Sequence, residues 1–202
     1  MRSSILALAF AAATPLLAQQ ADQAPLWLRG PAISPDGTTI IFTYQGDLWS
    51  VPTRGGDAKL LTTHEALDYA PVWSPDGQRI AFASIRHGSS DVYVMPAAGG
   101  PATRLTHHST GEQPSDFTPD GKHVIFYAVR QDDPANQQFP VGGFGELYQV
   151  AVDGGRPQRL LTTPAINARV SPDGNLLVFH DLKGYEDSYR KHHTSSVTRD
   201  IW

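Results

Sequence analysis

A single tetrapeptide, Ser or Thr followed by Pro-Asp-Gly, occurs four times and constrains the fold more than any other feature of the chain. Its aspartates are 40, 44 and 53 residues apart. Proline presets the first corner of a tight turn, and glycine supplies the positive φ that closes a hairpin. The sequence therefore predicts four equivalent structural turns, at Pro35-Asp36-Gly37, Pro75-Asp76-Gly77, Pro119-Asp120-Gly121 and Pro172-Asp173-Gly174.

Each turn has the same neighbours, which predicts a repeated unit of four strands. An apolar residue precedes the turn, and an aliphatic–x–Phe pair follows it, as in Ile80 and Phe82. An acid–aliphatic–aromatic triplet, a Gly-Gly pair in three of the units and a segment ending in Leu-Thr come later. Short β-branched and aromatic runs joined by short loops indicate antiparallel strands. In the second unit these are predicted over 70–74, 79–84, 91–96 and 102–106.

The second strand of each unit is apolar at successive positions, as in Val124-Ile125-Phe126. Such a strand has both faces covered, whereas a sandwich strand would alternate apolar and polar residues. Four-stranded sheets that repeat and cover one another are typical of a β-propeller. The sequence therefore predicts an all-β propeller of about three and a half blades, over 31–63, 70–107, 114–163 and, incompletely, 166–202.

The last three residues, Asp200-Ile201-Trp202, repeat the triplet with which a third strand begins. The sequence thus predicts that the chain stops inside its fourth blade. An open ring exposes sheet faces and an edge strand, which favour association. We therefore expect a fragment of a longer protein that is poorly soluble, or self-associates, when expressed alone.

The N-terminus predicts export. Arg2 is followed by an apolar run over 5–17 and by small and polar residues, which is typical of a secretory signal peptide. We expect the signal peptide to occupy 1–18, with a lead-in over 19–30 and a periplasmic or extracellular mature chain without a membrane span. The absence of cysteine excludes disulfides, thiolate metal sites and a lipoprotein anchor. A net charge of −4 argues against nucleic acid as the main partner.

Catalytic motifs are missing from the sequence: it has no nucleophile elbow, zinc-binding helix, phosphate loop or dinucleotide fingerprint. The segment HGSSD over 87–91 is interpreted as a polar turn, because sequence neighbours do not make a catalytic triad. The pairs His107-His108 and His192-His193 are not expected to hold a metal, since adjacent strand residues point to opposite faces. We therefore predict no catalytic residue, no metal and no cofactor in this chain.

The recurrent acids receive a structural interpretation, because a catalytic aspartate is needed once and a turn is needed in every blade. The turn aspartates can accept hydrogen bonds from nearby backbone N–H groups. The same interpretation applies to the acids that begin each third strand, Asp47, Asp91, Glu146 and Asp200.

The hairpin between the second and third strands varies in length, with insertions over 131–145 and 181–199. Long insertions on one edge of a repeat array often belong to the functional face. The second insertion carries the candidate substrate-binding residues, whose cationic cluster could hold a peptide carboxylate by charge-assisted hydrogen bonds. A solvated loop or an anchor for another domain are the alternatives. The cluster consists of Arg190, Lys191, His192 and His193.

The repeated unit, Trp-Ser-Pro-Asp-Gly-x-x-Ile-Ala-Phe with Asp-Val-Tyr-Val and Gly-Gly-x-x-x-Arg-Leu-Thr, resembles that of TolB-type, WD-repeat-like propellers. The segments 26–56 and 183–202 also resemble bacterial tricorn-type serine peptidases, relatives of the C-terminal-processing peptidases. That resemblance implies a large exported enzyme acting on peptides or proteins. Its propeller would precede a PDZ-like module and a catalytic domain with a Ser nucleophile and a His partner, and would gate peptide passage.

None of that family's catalytic motifs occurs in these residues. Two alternatives remain open. One is a TolB-like periplasmic interaction propeller with no enzyme attached. The other is the propeller of a different exported hydrolase, such as an amidohydrolase.

Overall fold

A computed structural model describes residues 27–130, 145–161, 163–181 and 201. The predicted signal peptide lies outside these residues. Within them no helix is long and apolar enough to cross a membrane. The described residues form fourteen strands: β1 (Arg29–Ile33), β2 (Thr39–Tyr44), β3 (Asp47–Pro52), β4 (Lys59–Leu60), β5 (Asp68–Trp73), β6 (Arg79–His87), β7 (Ser89–Pro96), β8 (Thr103–Arg104), β9 (Glu112–Phe117), β10 (His123–Ala128), β11 (Glu146–Ala151), β12 (Gln158–Arg159), β13 (Ala165–Val170) and β14 (Leu177–Asp181).

The strands form successive antiparallel sheets, which we call blades 1 to 4. Blades 1, 2 and 3 are the four-stranded sheets β1-β2-β3-β4, β5-β6-β7-β8 and β9-β10-β11-β12, and blade 4 contains β13-β14. The first strands of neighbouring blades, β1, β5, β9 and β13, lie beside one another. The prediction of an all-β propeller with four-stranded antiparallel blades is therefore confirmed.

The third strand of blade 4 begins where the sequence repeat predicts. Ile201 forms an antiparallel bridge with His180, one residue after Phe179. The corresponding pairs are Thr43 with Leu48 in blade 1 and Ala83 with Val92 in blade 2. Ile201 thus has the register of a third-strand residue.

Three apolar clusters join the blades. The first interface, between blades 1 and 2, contains Ile41, Leu48, Leu61, Ile80, Phe82, Tyr93 and Met95. The second interface, between blades 2 and 3, contains Val72, Ala81, Val92, Val94, Leu105, Phe117, Val124, Phe126, Ala128, Tyr148 and Val150. The third interface, between blades 3 and 4, contains Ile125, Leu147, Ala165 and Ala168, with Leu177 and Phe179 packed against them.

These interfaces explain why each second strand is apolar on both faces. In β6, Phe82 packs toward blade 1 and Ala81 toward blade 3, and neither side chain is exposed. The equivalent of Ala81 in blade 4 is Val178, which is 45% exposed. The second strands of blades 2 and 3 are therefore covered on both sides, whereas one face of β14 is open in the described residues.

A β-bulge recurs at one position in the first strands. The register shifts between Tyr69 and Val72 in β5 and between Ile166 and Arg169 in β13. The bulged residues Ala70 and Asn167 have φ values of 51° and 54°, in the left-handed region that side chains disfavour.

We expect Ala70→Gly to increase the free energy of unfolding by about 0.5–1 kcal/mol. Removing the left-handed strain stabilises the folded state by about 1–2 kcal/mol. The greater conformational entropy of glycine in the unfolded chain offsets part of this stabilisation. Urea denaturation measures the change. Ala83→Gly, in the fully buried middle of β6, is the control and should destabilise by about 1 kcal/mol. A loss of stability in Ala70→Gly similar to that of the control would contradict the strain argument.

Candidate functional face

The two ends of the blades differ in chemistry. Because neighbouring strands are antiparallel, the Pro-Asp-Gly turns all lie at one end, here called the turn face. The connections between second and third strands lie at the other end, together with those that lead into the next blade. We call this end the hairpin face.

The four Pro-Asp-Gly segments form the same turn. In the first, the Gly37 N–H donates to the Ser34 carbonyl at 2.9 Å. The Asp36 carboxylate accepts hydrogen bonds from the Ser34 hydroxyl and from the Thr38 N–H. Equivalent hydrogen bonds recur at Asp76, Asp120 and Asp173. The four glycines have φ values of 72°, 67°, 66° and 74°. These aspartates therefore hold turns together.

Neighbouring turns also lie close to one another. A Cβ added at Gly121 would lie 3.9 Å from Cδ of Pro75, and one added at Gly174 would lie 3.6 Å from Cγ of Pro119. Each proline therefore lies close to the glycine of the following blade. The turn face is a row of closely spaced turns.

Hydrogen bonding lowers the pKa of all four turn aspartates. The largest cause is the hydroxyl of the preceding Ser or Thr, followed by backbone or further side-chain donors. Because the folded pKa lies below the unfolded one, the unfolded chain binds more protons in the window between them. The stabilisation is present above the unfolded pKa, near pH 4, and is lost as pH falls through the folded pKa.

We therefore expect the stability difference between the wild type and Asp120→Asn to shrink as pH falls from about 5 to 2. Urea denaturation at each pH measures it. Thr118→Val, which removes the hydroxyl donor to Asp120, is the matched variant and should lose part of the same pH dependence. A difference that stays constant over this range would contradict the assignment.

At the hairpin face, blades 2 and 3 contain equivalent clusters of an acid, an arginine and two aromatic rings. In blade 2, Nη2 of Arg86 lies 2.6 Å from Oδ2 of Asp68. The Arg86 guanidinium also lies 5.5 Å from the ring centre of Phe82 and 5.3 Å from that of Tyr93. Arginine over aromatic faces is a favourable cation–π arrangement. We call this group the blade 2 arginine cluster.

In the blade 3 arginine cluster, Glu112 accepts from both Nε and Nη2 of Arg130, at 3.0 and 2.5 Å. The guanidinium lies 5.7 Å from the ring centre of Phe126 and 4.9 Å from that of Tyr148. Glu112 and Asp68 are both fully or almost fully buried. The two clusters therefore fix the base of the hairpins in blades 2 and 3.

The acids that begin the third strands lie beside these clusters and are also paired. Asp91 lies 2.8 Å from Arg104, and Glu146 lies 3.3 Å from Arg159. Asp47 accepts a hydrogen bond from the Thr62 hydroxyl at 3.0 Å. Burial raises the pKa of Asp91, although the Arg104 charge opposes this. Each of these three acids has a nearby partner, which fits the structural interpretation, whereas Asp200 lies outside the described residues.

Burial, together with the Glu146 carboxylate, raises the pKa of the neighbouring Tyr148 well above its ordinary value. The Tyr148 hydroxyl donates to Glu146 at 2.9 Å. This phenol therefore acts as a hydrogen-bond donor within the cluster.

The arginine clusters were missed by the sequence analysis, although a spacing signal exists. Asp68 and Glu112 each lie eight residues before a turn aspartate, and Arg86 and Arg130 each lie four residues after the repeated Phe. Each acid and its arginine are 18 residues apart. Aligning the units on the turn would have revealed both.

Two of the histidines considered in the sequence, His87 and His108, have ordinary hydrogen-bond partners. In the HGSSD segment, His87 Nδ1 lies 2.7 Å from the Tyr93 hydroxyl, and Ser90 donates to the Glu112 carbonyl. His108 is hydrogen-bonded to Thr110. The described residues contain no group of three potential metal ligands. The cationic cluster at 190–193, including His192 and His193, lies outside the described residues.

Comparison with known proteins agrees with this architecture. A family model for the tricorn protease N-terminal β-propeller domain matches residues 25–202. Tricorn protease homolog 1 of Streptomyces coelicolor is 40% identical over 68 residues, which cover 34% of this chain and 6% of that protein. Dipeptidyl-peptidase 5 of Porphyromonas gingivalis is 37% identical over 68 residues, which cover 29% of this chain and 10% of that protein. The matches thus span a tenth or less of these relatives.

Two crystal structures share the fold. TolB from Acinetobacter baumannii has a TM-score of 0.65 and 22% identity, over 86% of this chain and 40% of that one. Tricorn protease has a TM-score of 0.64 and 24% identity, over 89% of this chain and 17% of that one. Similarity at these identities shows the fold alone. The family match covers nearly all of the chain, and the chain therefore belongs to the family of tricorn protease N-terminal β-propeller domains.

Proposed function

We propose that this propeller belongs to an exported tricorn-type serine peptidase and controls how peptides reach a catalytic domain elsewhere in the same protein. The observation that carries the proposal is the family match over residues 25–202. The two curated relatives, whose names describe a protease homolog and a dipeptidyl-peptidase, support it. On this proposal the propeller itself is not catalytic, and the signal peptide over 1–18 directs export.

The hairpin face is the side that we propose to meet the peptide. Both long insertions connect second to third strands, so they start from this face. The paired, buried acids of blades 2 and 3 give it a rigid base, since each is held by an arginine. The turn face, by contrast, carries four short turns of one kind, together with the connections between third and fourth strands. Recognition of different peptides fits the variable face better.

Within that face we propose that Arg190 and Lys191 bind a substrate carboxylate. In the full-length protein, the double variant Arg190→Ala/Lys191→Ala should raise KM for peptides about five- to tenfold with little change in kcat. Charge-assisted hydrogen bonds of this kind contribute on the order of 1–1.5 kcal/mol in an exposed site. Peptide hydrolysis followed over a range of substrate concentrations measures both constants.

The matched control is Arg54→Ala/Arg156→Ala, which removes two exposed arginines from the connections between third and fourth strands, at the turn face. It should leave KM unchanged. If both double variants raise KM equally, or if neither changes KM, then Arg190 and Lys191 do not bind the substrate carboxylate. The protein would still be a peptidase in either case. If the full-length protein hydrolyses no peptide, the TolB-like interaction propeller becomes the better reading, and the shared fold already accommodates it.

A further inference from the structure

The hairpin end of the first interface contains buried polar atoms that make no hydrogen bond to any described residue. They are the Thr43 hydroxyl, Oδ1 of Asp68, the Ser84 hydroxyl, Nε of Arg86 and both carboxylate oxygens of Asp91, although Oδ2 of Asp91 is ion-paired with Arg104. Asp68, Ser84 and Asp91 are fully buried, and Thr43 is 6% exposed. Buried polar groups are nearly always satisfied, so several orphans in one place require an explanation.

Strand register places these groups together. Ser84 pairs directly with Asp68 on one side and with Asp91 on the other. Directly paired residues project from the same face of a sheet, with Cβ atoms about 4.5–5.5 Å apart. That face is the one that carries Phe82 toward blade 1. The Ser84 hydroxyl therefore lies between two buried carboxylates at the first interface.

Thr43 approaches the same row from blade 1. It lies two residues after Ile41, which packs against blade 2, so the Thr43 side chain points the same way. The backbones are tied together at this level, because the Asp68 N–H donates to the Gly46 carbonyl of blade 1 at 2.8 Å. Hydroxyls from both blades thus face the carboxylates across the interface.

The second interface provides an internal comparison. The equivalents of Thr43, Asp68, Ser84 and Asp91 are Ala83, Glu112, Ala128 and Glu146. There neither position carries a hydroxyl, because both are alanine, and both acids are longer by one methylene.

The longer acids reach partners that the shorter ones do not. Glu112 contacts Nε as well as Nη2 of Arg130, whereas Nε of Arg86 has no partner among the described residues. Glu146 accepts from the Tyr148 hydroxyl. The equivalent hydroxyl, of Tyr93, bonds to His87 instead. Among the equivalent groups of the second interface, Oε2 of Glu112 is the one described atom that is buried without a hydrogen bond. The first interface therefore has more unpaired polar groups and less side-chain volume to satisfy them.

We propose that this end of the first interface holds one shared structural water molecule, which bridges Thr43 of blade 1 to Ser84 and the two aspartates of blade 2. Water suits the site because it can donate to the carboxylates and accept from Arg86. A metal ion suits it less. Arg86 and Arg104 already balance the two carboxylates, and the described residues contain no group of three potential metal ligands.

A crystal structure of the full-length protein at about 1.8 Å tests the proposal directly. We expect an ordered peak about 2.7–3.2 Å from the Ser84 hydroxyl and a carboxylate oxygen. A peak with oxygen ligands at about 2.0–2.6 Å would identify a metal and overturn the assignment. Direct hydrogen bonds from Ser84 to an aspartate, with no peak, would also overturn it.

Hydrogen exchange at the Asp68 amide gives a second test, because that amide spans the same interface. Thr43→Ala and Ser84→Ala should each raise its opening equilibrium about fivefold in the full-length protein. If the two hydroxyls share one water, the double variant should also raise the opening equilibrium about fivefold, because the same water is lost in each variant. A rise of about 25-fold in the double variant, the product of the two single effects, would show that the hydroxyls act independently. That result would overturn the proposal of a shared bridging water.

The quadruple variant Thr43→Ala/Asp68→Glu/Ser84→Ala/Asp91→Glu gives the first interface the residues found at the equivalent positions of the second interface. It should fold and lose the water peak. A peak that persists in this variant would contradict the proposed ligands.

Discussion

Arg130→Ala is expected to lower the free energy of unfolding of the propeller by about 3–5 kcal/mol. The substitution leaves the Glu112 carboxylate buried without its two hydrogen bonds, and an uncompensated buried charge costs about this much. It also removes the guanidinium from the faces of Phe126 and Tyr148. Urea denaturation followed through tryptophan fluorescence measures the loss.

Two further variants separate the buried charge from the general loss of an arginine. Arg156→Ala removes an exposed arginine and should change the free energy of unfolding by no more than about 0.5 kcal/mol. Glu112→Gln/Arg130→Met removes both charges and should recover much of the loss. A loss below about 1 kcal/mol in Arg130→Ala would mean that water, not Arg130, satisfies Glu112.

The repeat made the fold predictable because one local signal recurs. The turn chemistry of Pro-Asp-Gly acts over four residues, and the aliphatic–x–Phe pair follows it at fixed spacing, so unit length and strand order could both be derived. The bridge between His180 and Ile201 then falls in the register that the triplet implies. Prediction succeeded where structure depends on neighbours in sequence.

Strand ends were less predictable because they depend on the partner strand. The second strand of blade 2, predicted over 79–84, continues as β6 to His87, since its ladder with β7 resumes at His87 and Ser89. The fourth strand, predicted over 102–106, contains only Thr103–Arg104 in β8. Leu105 still donates to the Val92 carbonyl, but an edge strand has no second partner to extend it.

The arginine clusters were missed for a different reason. A charged residue is usually solvated, so neither Glu112 nor Arg130 suggests burial when considered alone. Their pairing depends on β9 and β10 lying side by side, which brings residues 18 positions apart into contact. Only an alignment of the units, or the folded sheet, shows that the same pair recurs as Asp68 and Arg86.

Phe126→Ala is expected to lower the free energy of unfolding by about 3–5 kcal/mol. The Phe126 side chain is fully buried in the second interface, and its ring stacks on Tyr148 with centroids 5.7 Å apart. Truncation to alanine removes this apolar surface and leaves a cavity between two sheets that relax little, because each is held by its neighbours on both sides. Urea denaturation of the full-length protein measures the loss.

Two comparisons make this result diagnostic. Leu67→Ala truncates a side chain that is 42% exposed at the hairpin face and should cost less than about 1 kcal/mol. Phe126→Ala/Arg130→Ala should cost less than the two single losses added together, because the Phe126 ring is part of the surface that holds the Arg130 guanidinium. Strict additivity would show that the blade core and the arginine cluster are energetically separate. If the loss in the double variant is smaller than the sum of the single losses by about 0.5 kcal/mol or more, packing between blades also positions the charges at the hairpin face.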